Sequence, residues 1–241
     1  MRIQALALLA ILAAPRPVSA QSATRLPIDH VILAIDSLER GIRLFRELTG
    51  VTPVHGGAHP GAGTQNALVS LGRNRYLEII APNPADSSEE AMTQANRLPR
   101  DEHFTPLTKL TPDGWAIHVR DIANVAERIS KRTHFYFSPE DGARDTPDGR
   151  HLSWQTLLSF GNGQPDVLPF LIEWDAGVRH PSLDAPRGCT LVSLMLYSAH
   201  ARETAEAMKR IGYTMTVAYA PRDHIELTLQ CPKGRVVFPA P

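Results

Sequence analysis

Residues 27–50 read PIDHVILAIDSLERGIRLFRELTG, and the fold follows from the change of period halfway along this stretch. From Pro27 to residue 35 apolar side chains alternate, the signature of a strand with one covered face. Asp36 and Glu39 then form a capping-box pattern, in which Asp36 is expected to accept from the backbone N–H three residues on. Leu38, Ile42, Phe45 and Leu48 recur at helical spacing, and Gly50 stands where a helix C-terminus favours a left-handed residue. Short extended segments follow at 52–55, 66–71 and 76–81, so the order is strand, helix and three strands.

The same order is expected twice more. Residues 115–119 read as a strand, Asp121 as the cap of a helix reaching about Lys131, with strands near 134–137, 152–159 and 168–174. In the third unit a strand at 190–197 precedes a helix at 201–211 ended by Gly212, with strands near 213–218, 225–230 and 235–238. Each unit, at roughly 50–60 residues, is too small to bury its sheet alone, so pairing of units is expected. Between units one and two, residues 83–113 are polar and proline-containing, with a short surface helix expected over 86–97. Residues 138–150 (SPEDGARDTPDGR) read as a charged loop, either a mobile lid or a plain solvated connection, of which composition favours the second, and residues 175–188 as a linker.

Composition agrees with a folded chain. Of 241 residues, 43% are hydrophobic and 21% charged, which supports an ordinary core and excludes a disordered or collagen-like protein. The 25 basic residues balance the 25 acidic ones, with no long basic run, so a nucleic-acid partner is not expected. Arg2, the apolar run ALALLAILAA at 5–14 and Val18-Ser19-Ala20 read as a secretory signal over residues 1–20, cut before Gln21. The apolar run falls short of the roughly 20 residues a membrane helix needs. The mature chain is therefore expected to be exported, periplasmic or secreted, and free of the membrane, with 23 basic and 25 acidic groups. In an oxidising compartment Cys189 and Cys231 either bridge or stay as two buried thiols, and their spacing does not decide between these.

The units resemble the βαβββ module of the vicinal oxygen chelate superfamily, in particular its glyoxalase-like group. The residues that carry the likeness are IDHVILAIDSLERGIRLFRELTG at 28–50, HPGAGTQNALVSLG at 59–72 and RYLEIIAP at 75–82. In unit two they are GWAIHVRDI at 114–122 and LPFLIEWD at 168–175. The resemblance implies an α+β fold in which two βαβββ modules over 26–175 pair into a cupped mixed sheet, with a third βαβββ-like unit over 189–239. It also implies a pocket that commonly holds a divalent metal on His and Glu or Gln side chains. Members of the superfamily include isomerases, epimerases, ring-cleaving dioxygenases, thiol transferases and metal-free drug-sequestering proteins, so the fold constrains function only loosely.

Strand parity names candidates independently. If Val31, Leu33 and Ile35 lie under the helix, Ile28, His30, Ile32 and Ala34 face the cup. If Leu77 and Ile79 are covered, Tyr76, Glu78 and Ile80 look inward, and His30 and Glu78 converge. In unit two, Trp115, Ile117 and Val119 are assigned to the helix side and Gly114, Ala116 and His118 to the cup. Glu173 is assigned to the cup as the counterpart of Glu78, flanked by outward Ile172 and Trp174. His30, Glu78, His118 and Glu173 are thus the expected ligands of a divalent ion (Zn, Fe, Mn or Ni), with Glu173 or Glu78 as general base. His118 lies four residues beyond the position that matches His30, a departure from a regular four-ligand site. In HPGAGTQN, His59, Thr64 and Asn66 are expected to contact substrate together with Tyr76.

No G-x-S-x-G elbow, H-E-x-x-H or P-loop is present, which leaves serine hydrolase, zincin and nucleotide-hydrolase readings without their motifs. His200 and His224 read as surface residues. The expected function is a metal-dependent lyase, isomerase or dioxygenase acting on a small oxygen-chelating molecule. The alternatives are a metal-free module that sequesters a small ligand, with Trp154 or Tyr76 lining its pocket, and a homodimeric scaffold using unit three.

Overall fold

The computed structural model describes residues 27–60, 62–86, 107–133, 138–157 and 167–239. The leader over 1–20, the helix expected over 86–97 (beyond Asp86) and the strand expected near 134–137 lie outside these residues. The first unit runs β1 (Ile28–Ala34), α1 (Leu38–Thr49), β2 (Val54–His59), β3 (Thr64–Ser70) and β4 (Tyr76–Pro82). The second runs β5 (Thr111–His118), α2 (Ile122–Thr133), β6 (Glu140–Asp145), β7 (His151–Leu157) and β8 (Phe170–Trp174). The third runs β9 (Thr190–Ser198), α3 (Ala201–Arg210), β10 (Val217–Tyr219), β11 (His224–Cys231) and β12 (Gly234–Phe238).

Units one and two build one eight-stranded sheet in the order β2-β3-β4-β1-β5-β8-β7-β6. In each, the last strand runs parallel to the first, and the two first strands, β1 and β5, pair antiparallel at the centre. The sheet curls until its outermost strands meet. A Cβ on Gly57, whose φ of +132° favours glycine, would lie 2.5 Å from the Asp145 carbonyl oxygen, so glycine is what allows β2 to reach β6. Arg144 of β6 ties this seam by donating to the Gly56 carbonyl.

Unit three repeats the order of elements but not the pairing. Its four-stranded sheet is ordered β10-β9-β11-β12, so its first strand is flanked by the second and third rather than by the last. One apolar cluster joins Leu194, Leu196, Ile225, Leu227 and Leu229 of this sheet to Val31, Leu33, Leu77, Ile79, Trp115 and Ile117 of the other. Phe45 of α1 stacks on Phe238 of β12 with ring centroids 6.0 Å apart. The third unit therefore covers the helical side and leaves the concave side to the first two.

The helices form where the sequence places them. Leu38, Gly41, Phe45 and Thr49 are the buried stripe of α1, and Gly50 ends it in the left-handed region at φ 82°. A Cβ at Gly41 would lie 2.8 Å from the Ile79 Cγ2, so a glycine lets α1 pack directly on the sheet. Asp36 does not close a capping box. Ser37 is the N-cap, with no side-chain cap bond, and Asp36 Oδ2 instead accepts from Arg40 Nη1 at 2.6 Å.

One expectation about a segment is corrected, and one open alternative is decided. Residues 140–145 within the charged loop form β6, paired antiparallel with β7. As an outermost strand with mostly polar side chains, β6 shows no alternation for a sequence pattern to detect. Cys189 and Cys231, left open by their spacing, form a disulfide with Cα atoms 4.2 Å apart. The antiparallel pair Thr190 and Gln230 brings these two neighbours together. Among the described residues no helix is long and apolar enough to cross a membrane.

Candidate functional site

The concave face carries a polar cluster between apolar strands. Val31, Leu33, Ile35, Leu77, Ile79, Trp115, Ile117 and Val119 all lie in the core, as parity requires. His30 and Glu78, turned the other way, converge, with His30 Nε2 3.7 Å from Glu78 Oε2. Ile28 departs from the pattern. It pairs with Ile117 and joins the core, while a bulge between Ile28 and His30 adds one residue to β1. That extra residue is Asp29, which therefore shares the concave face with His30 instead of alternating with it.

Asp29 is fully buried and accepts from four groups. His30 Nδ1 lies 2.8 Å from its Oδ1, and His118 Nδ1, His180 Nε2 and Trp174 Nε1 lie 3.2, 3.1 and 3.0 Å from its Oδ2. Burial pushes the carboxyl up, but the hydrogen bonds from His118, His180 and His30, with the His30 charge, hold it well below the usual carboxylate range. Because an ionised carboxylate only accepts, His30 Nδ1 carries a proton, and in the neutral ring the lone pair lies on Nε2. The Ser182 backbone N–H donates to His180 Nδ1, which fixes the proton of that ring on Nε2, toward Asp29.

A second network holds Glu78. Asn66 Nδ2 donates to Glu78 Oε1 at 2.7 Å and faces His59 Nε2 at 3.1 Å, while His59 Nδ1 meets Thr64 Oγ1 at 2.9 Å. The amide nitrogen thus spends one hydrogen on the carboxylate and the other on the imidazole. Asn66 Oδ1 is left buried with no partner among the described residues. Burial raises the Glu78 carboxyl, and the His59 and His30 charges, the Asn66 hydrogen bond and Arg144 more than reverse this, so it is lowered. His59 is lowered chiefly by burial, with Arg144 and His30 adding to the effect against the pull of Glu78. Glu78 is therefore ionised, and His59 gives up its proton more readily than a free imidazole. Glu78 Oε2 makes no hydrogen bond among the described residues and faces the His30 lone pair.

Aromatic rings wall this pair. Tyr76 stacks on His30 at 4.6 Å between centroids, Phe170 meets His30 edge-on at 5.3 Å, and Trp174 meets His180 at 5.6 Å. Trp154 meets Trp174 at 5.3 Å. Burial pushes the Tyr76 phenol well up, and the Glu78 and Asp29 charges push it further, so it keeps its proton.

Of the expected residues, His30, His59, Thr64, Asn66, Tyr76 and Glu78 come together, and His118 stands on the far side of Asp29. Glu173 does not join them. Its two carboxylate oxygens accept from the backbone N–H groups of Asp121 and Ile122, each at 2.8 Å, at the start of α2. The reason is register. Ala116 pairs with Phe170 and His118 with Ile172, which puts Phe170, Ile172 and Trp174 on the concave face and Leu171 and Glu173 under the helix. The run FLIEW does not alternate, and an offset of one residue exchanges the faces of a strand. At its actual position Glu173 satisfies N–H groups that the first turn of a helix leaves open.

The four-residue set His30, Glu78, His118 and Glu173 therefore does not fit a divalent ion. Among the described residues no three His, Cys, Asp or Glu side chains are arranged to hold one. Sequence reasoning missed Asp29, His180, Trp174, Phe170 and Arg144. Asp29 had a signal, since it directly precedes a concave histidine in a strand that a bulge shifts. His180 had none, because it arrives from the linker.

The sequence profile of a glyoxalase-like domain matches residues 28–212. A comparison with curated protein sequences returned no match. Among solved structures, a hypothetical protein from Staphylococcus aureus superposes with a TM-score of 0.59 at 15% identity, covering 82% of this chain and 87% of that one. Methylmalonyl-CoA epimerase from Mycobacterium tuberculosis aligns with a TM-score of 0.39 at 19% identity, covering 61% and 87% of the two chains. A hypothetical protein from Bacillus halodurans aligns with a TM-score of 0.39 at 15% identity, covering 63% and 96%. At such identities the first likeness speaks for the fold alone, and the other two are too distant to add to it.

Proposed function

The chain belongs to the glyoxalase-like domain family, and on that premise we propose that the concavity is an active site in which Glu78 moves a proton on a small oxygen-bearing substrate. The observation that carries this reading is the facing of two proton acceptors, Glu78 Oε2 and His30 Nε2, 3.7 Å apart in a buried aromatic enclosure. An ionised carboxylate opposite an imidazole lone pair needs a hydrogen-bearing group between them, and an α-hydroxy carbonyl compound supplies two. Glu78 Oε2 takes the proton from the carbon beside the carbonyl, and the C–H electron pair moves onto the carbonyl oxygen. His30 Nε2 accepts a hydrogen bond from the neighbouring hydroxyl and orients it, with Asp29 holding the ring. His30 Nε2 then takes the hydroxyl proton and delivers it to the former carbonyl oxygen while Glu78 returns its proton to the former carbonyl carbon, which completes an isomerase-type reaction without net oxidation. The divalent ion implied by the family resemblance has no fitting four-residue set among the described residues.

Export belongs to the same proposal. The leader pattern of residues 1–20 supports it, and so does the Cys189–Cys231 disulfide, a bond that persists in oxidising compartments.

The test is solvent deuterium exchange. The mature chain is incubated in D2O with hydroxyacetone, dihydroxyacetone or lactate, and loss of the carbon-bound proton signal is followed by NMR. Exchange of at least one compound above the buffer rate is expected, falling about 100-fold in Glu78→Gln. Exchange at the buffer rate for all three, or a Glu78→Gln protein as fast as the parent, overturns the reading. The aromatic wall of Tyr76, Phe170, Trp154 and Trp174 favours a second reading, sequestration of a small planar ligand, which predicts binding without exchange.

A further inference from the structure

Arg144 is 4% exposed, yet among the described residues no carboxylate lies within ion-pairing distance of it. Its only hydrogen bond among them goes to the Gly56 carbonyl, leaving most of its five N–H donors without a protein acceptor. Buried charges are ordinarily paired, and an arginine keeps its charge at any pH a protein tolerates. The Glu78 charge acts on this guanidinium only from beyond pairing distance, so its free N–H groups are open to an anion from outside the chain.

The surroundings offer room for one. Arg144 lines a cavity of about 260 Å³ bounded by Gly56, Leu68, Leu152, Pro181 and Ala185. Two further arginines border this cavity, and both are neutralised. Arg150 pairs with Asp148 at 2.9 Å and Asp184 at 2.5 Å, and Arg179 pairs with Asp184 at 2.8 Å. Arg144 is therefore the one cavity arginine without an acidic partner among the described residues. Leu68, on the cavity wall, is the cross-strand partner of Glu78, so the cavity adjoins the proposed base on the concave face.

We propose that Arg144 anchors the carboxylate of the substrate, which is a small 2-hydroxy or 2-oxo acid whose reacting carbon is thereby placed toward Glu78. The inference rests on the proton-transfer reading and names its substrate class. A guanidinium suits a carboxylate because its parallel N–H groups match the two oxygens, which fixes orientation as well as position. Arg144 acts here as a specificity residue: it selects acids over their uncharged analogues and takes no part in the proton movement.

Calorimetric titration of the mature protein with lactate, pyruvate and methyl lactate tests this. Lactate or pyruvate is expected to bind, and methyl lactate at least about tenfold more weakly, since the ester lacks the charge that Arg144 receives. Arg144→Met is expected to bring acid affinity down to that of the ester while ester affinity holds. Arg144→Lys, which keeps the charge without the fork, is expected to fall between. If Arg144→Met fails to fold because the β2–β6 seam opens, the acid–ester contrast in the unaltered protein and the Arg144→Lys value still decide. Equal affinity for acid and ester, undiminished acid binding in folded Arg144→Met, or no binding of either acid overturns the proposal. Glu78→Gln separates the two readings: acid binding without exchange retains the anchor, whereas exchange without acid preference retains only the base.

Discussion

Asp29 and His30 are consecutive in the chain and yet present their side chains to the same face of the sheet, with Asp29 Oδ1 2.8 Å from His30 Nδ1. A regular strand would send them to opposite faces. The bulge in β1 removes that alternation, and through it a carboxylate enters the floor of the concavity to be met by three histidines and a tryptophan.

Asp29→Asn keeps the shape and exchanges an acceptor for a donor. The amide cannot accept from His30, His118, His180 and Trp174 together, so donors are left buried and unpaired. A loss of about 3 kcal/mol in urea unfolding is expected, together with an exchange rate down by about 100-fold as His30 loses its fixed proton position. A variant as stable and as active as the parent would show that Asp29 neither organises the cluster nor orients His30.

Glu173→Gln distinguishes helix capping from catalysis. The carboxylate holds two N–H groups at the start of α2, so its loss is expected to lower stability by about 1 kcal/mol. Exchange should stay within about twofold of the parent, and metal content by elemental analysis of protein purified without chelators should be unchanged. A lost equivalent of metal in Glu173→Gln alone would restore this residue to an ion site.

Stability should fall in acid in two stages, each with a definite sign. His59 has its pKa lowered in the folded protein, so the unfolded chain takes up a proton first, and stability is lost as the pH drops below about 6.5. Asp29 and Glu78 are also lowered, so their contribution is present above about pH 4 and is lost as the pH falls through their folded values. Urea midpoints measured from pH 8 to pH 3 should show both stages, with His59→Gln removing the upper one. A flat profile between pH 7 and pH 5 in the parent would contradict the lowered His59.

The disulfide closes a loop with a sequence separation of 42 residues. In the chain-entropy view it contributes about 4 kcal/mol. Cys189→Ser with Cys231→Ser should therefore lower the thermal midpoint by several degrees, while exchange at 25 °C is retained because the bond lies in the sheet of unit three. Loss of exchange in a folded double variant would tie that sheet to the site.

Much of this was readable in advance for a simple reason. Ile117 alternates with Ala116 and His118, and Val31 and Leu77 stand beside His30 and Glu78, because a strand with one covered face writes that alternation into its residues. The convergence of His30 with Glu78 followed from the same parity. Glu173 escaped it because FLIEW carries no alternation, and β6 escaped because an outermost strand with polar side chains needs none. Unit three repeats the order of elements while pairing them differently, since which strand lies beside which depends on contacts between distant segments.

The amino-acid sequence by itself determined the strand and helix periods, the covered faces, the family and the meeting of His30 with Glu78, because partition between water and core is a local property of each segment. Tertiary structure alone decided the bulge that admits Asp29, the register that removes Glu173, the arrival of His180 from a linker and the placing of Arg144 against a strand 88 residues away. These depend on how strands slide and where the curled sheet closes, and an offset of a single residue, invisible in composition, exchanges one face for the other.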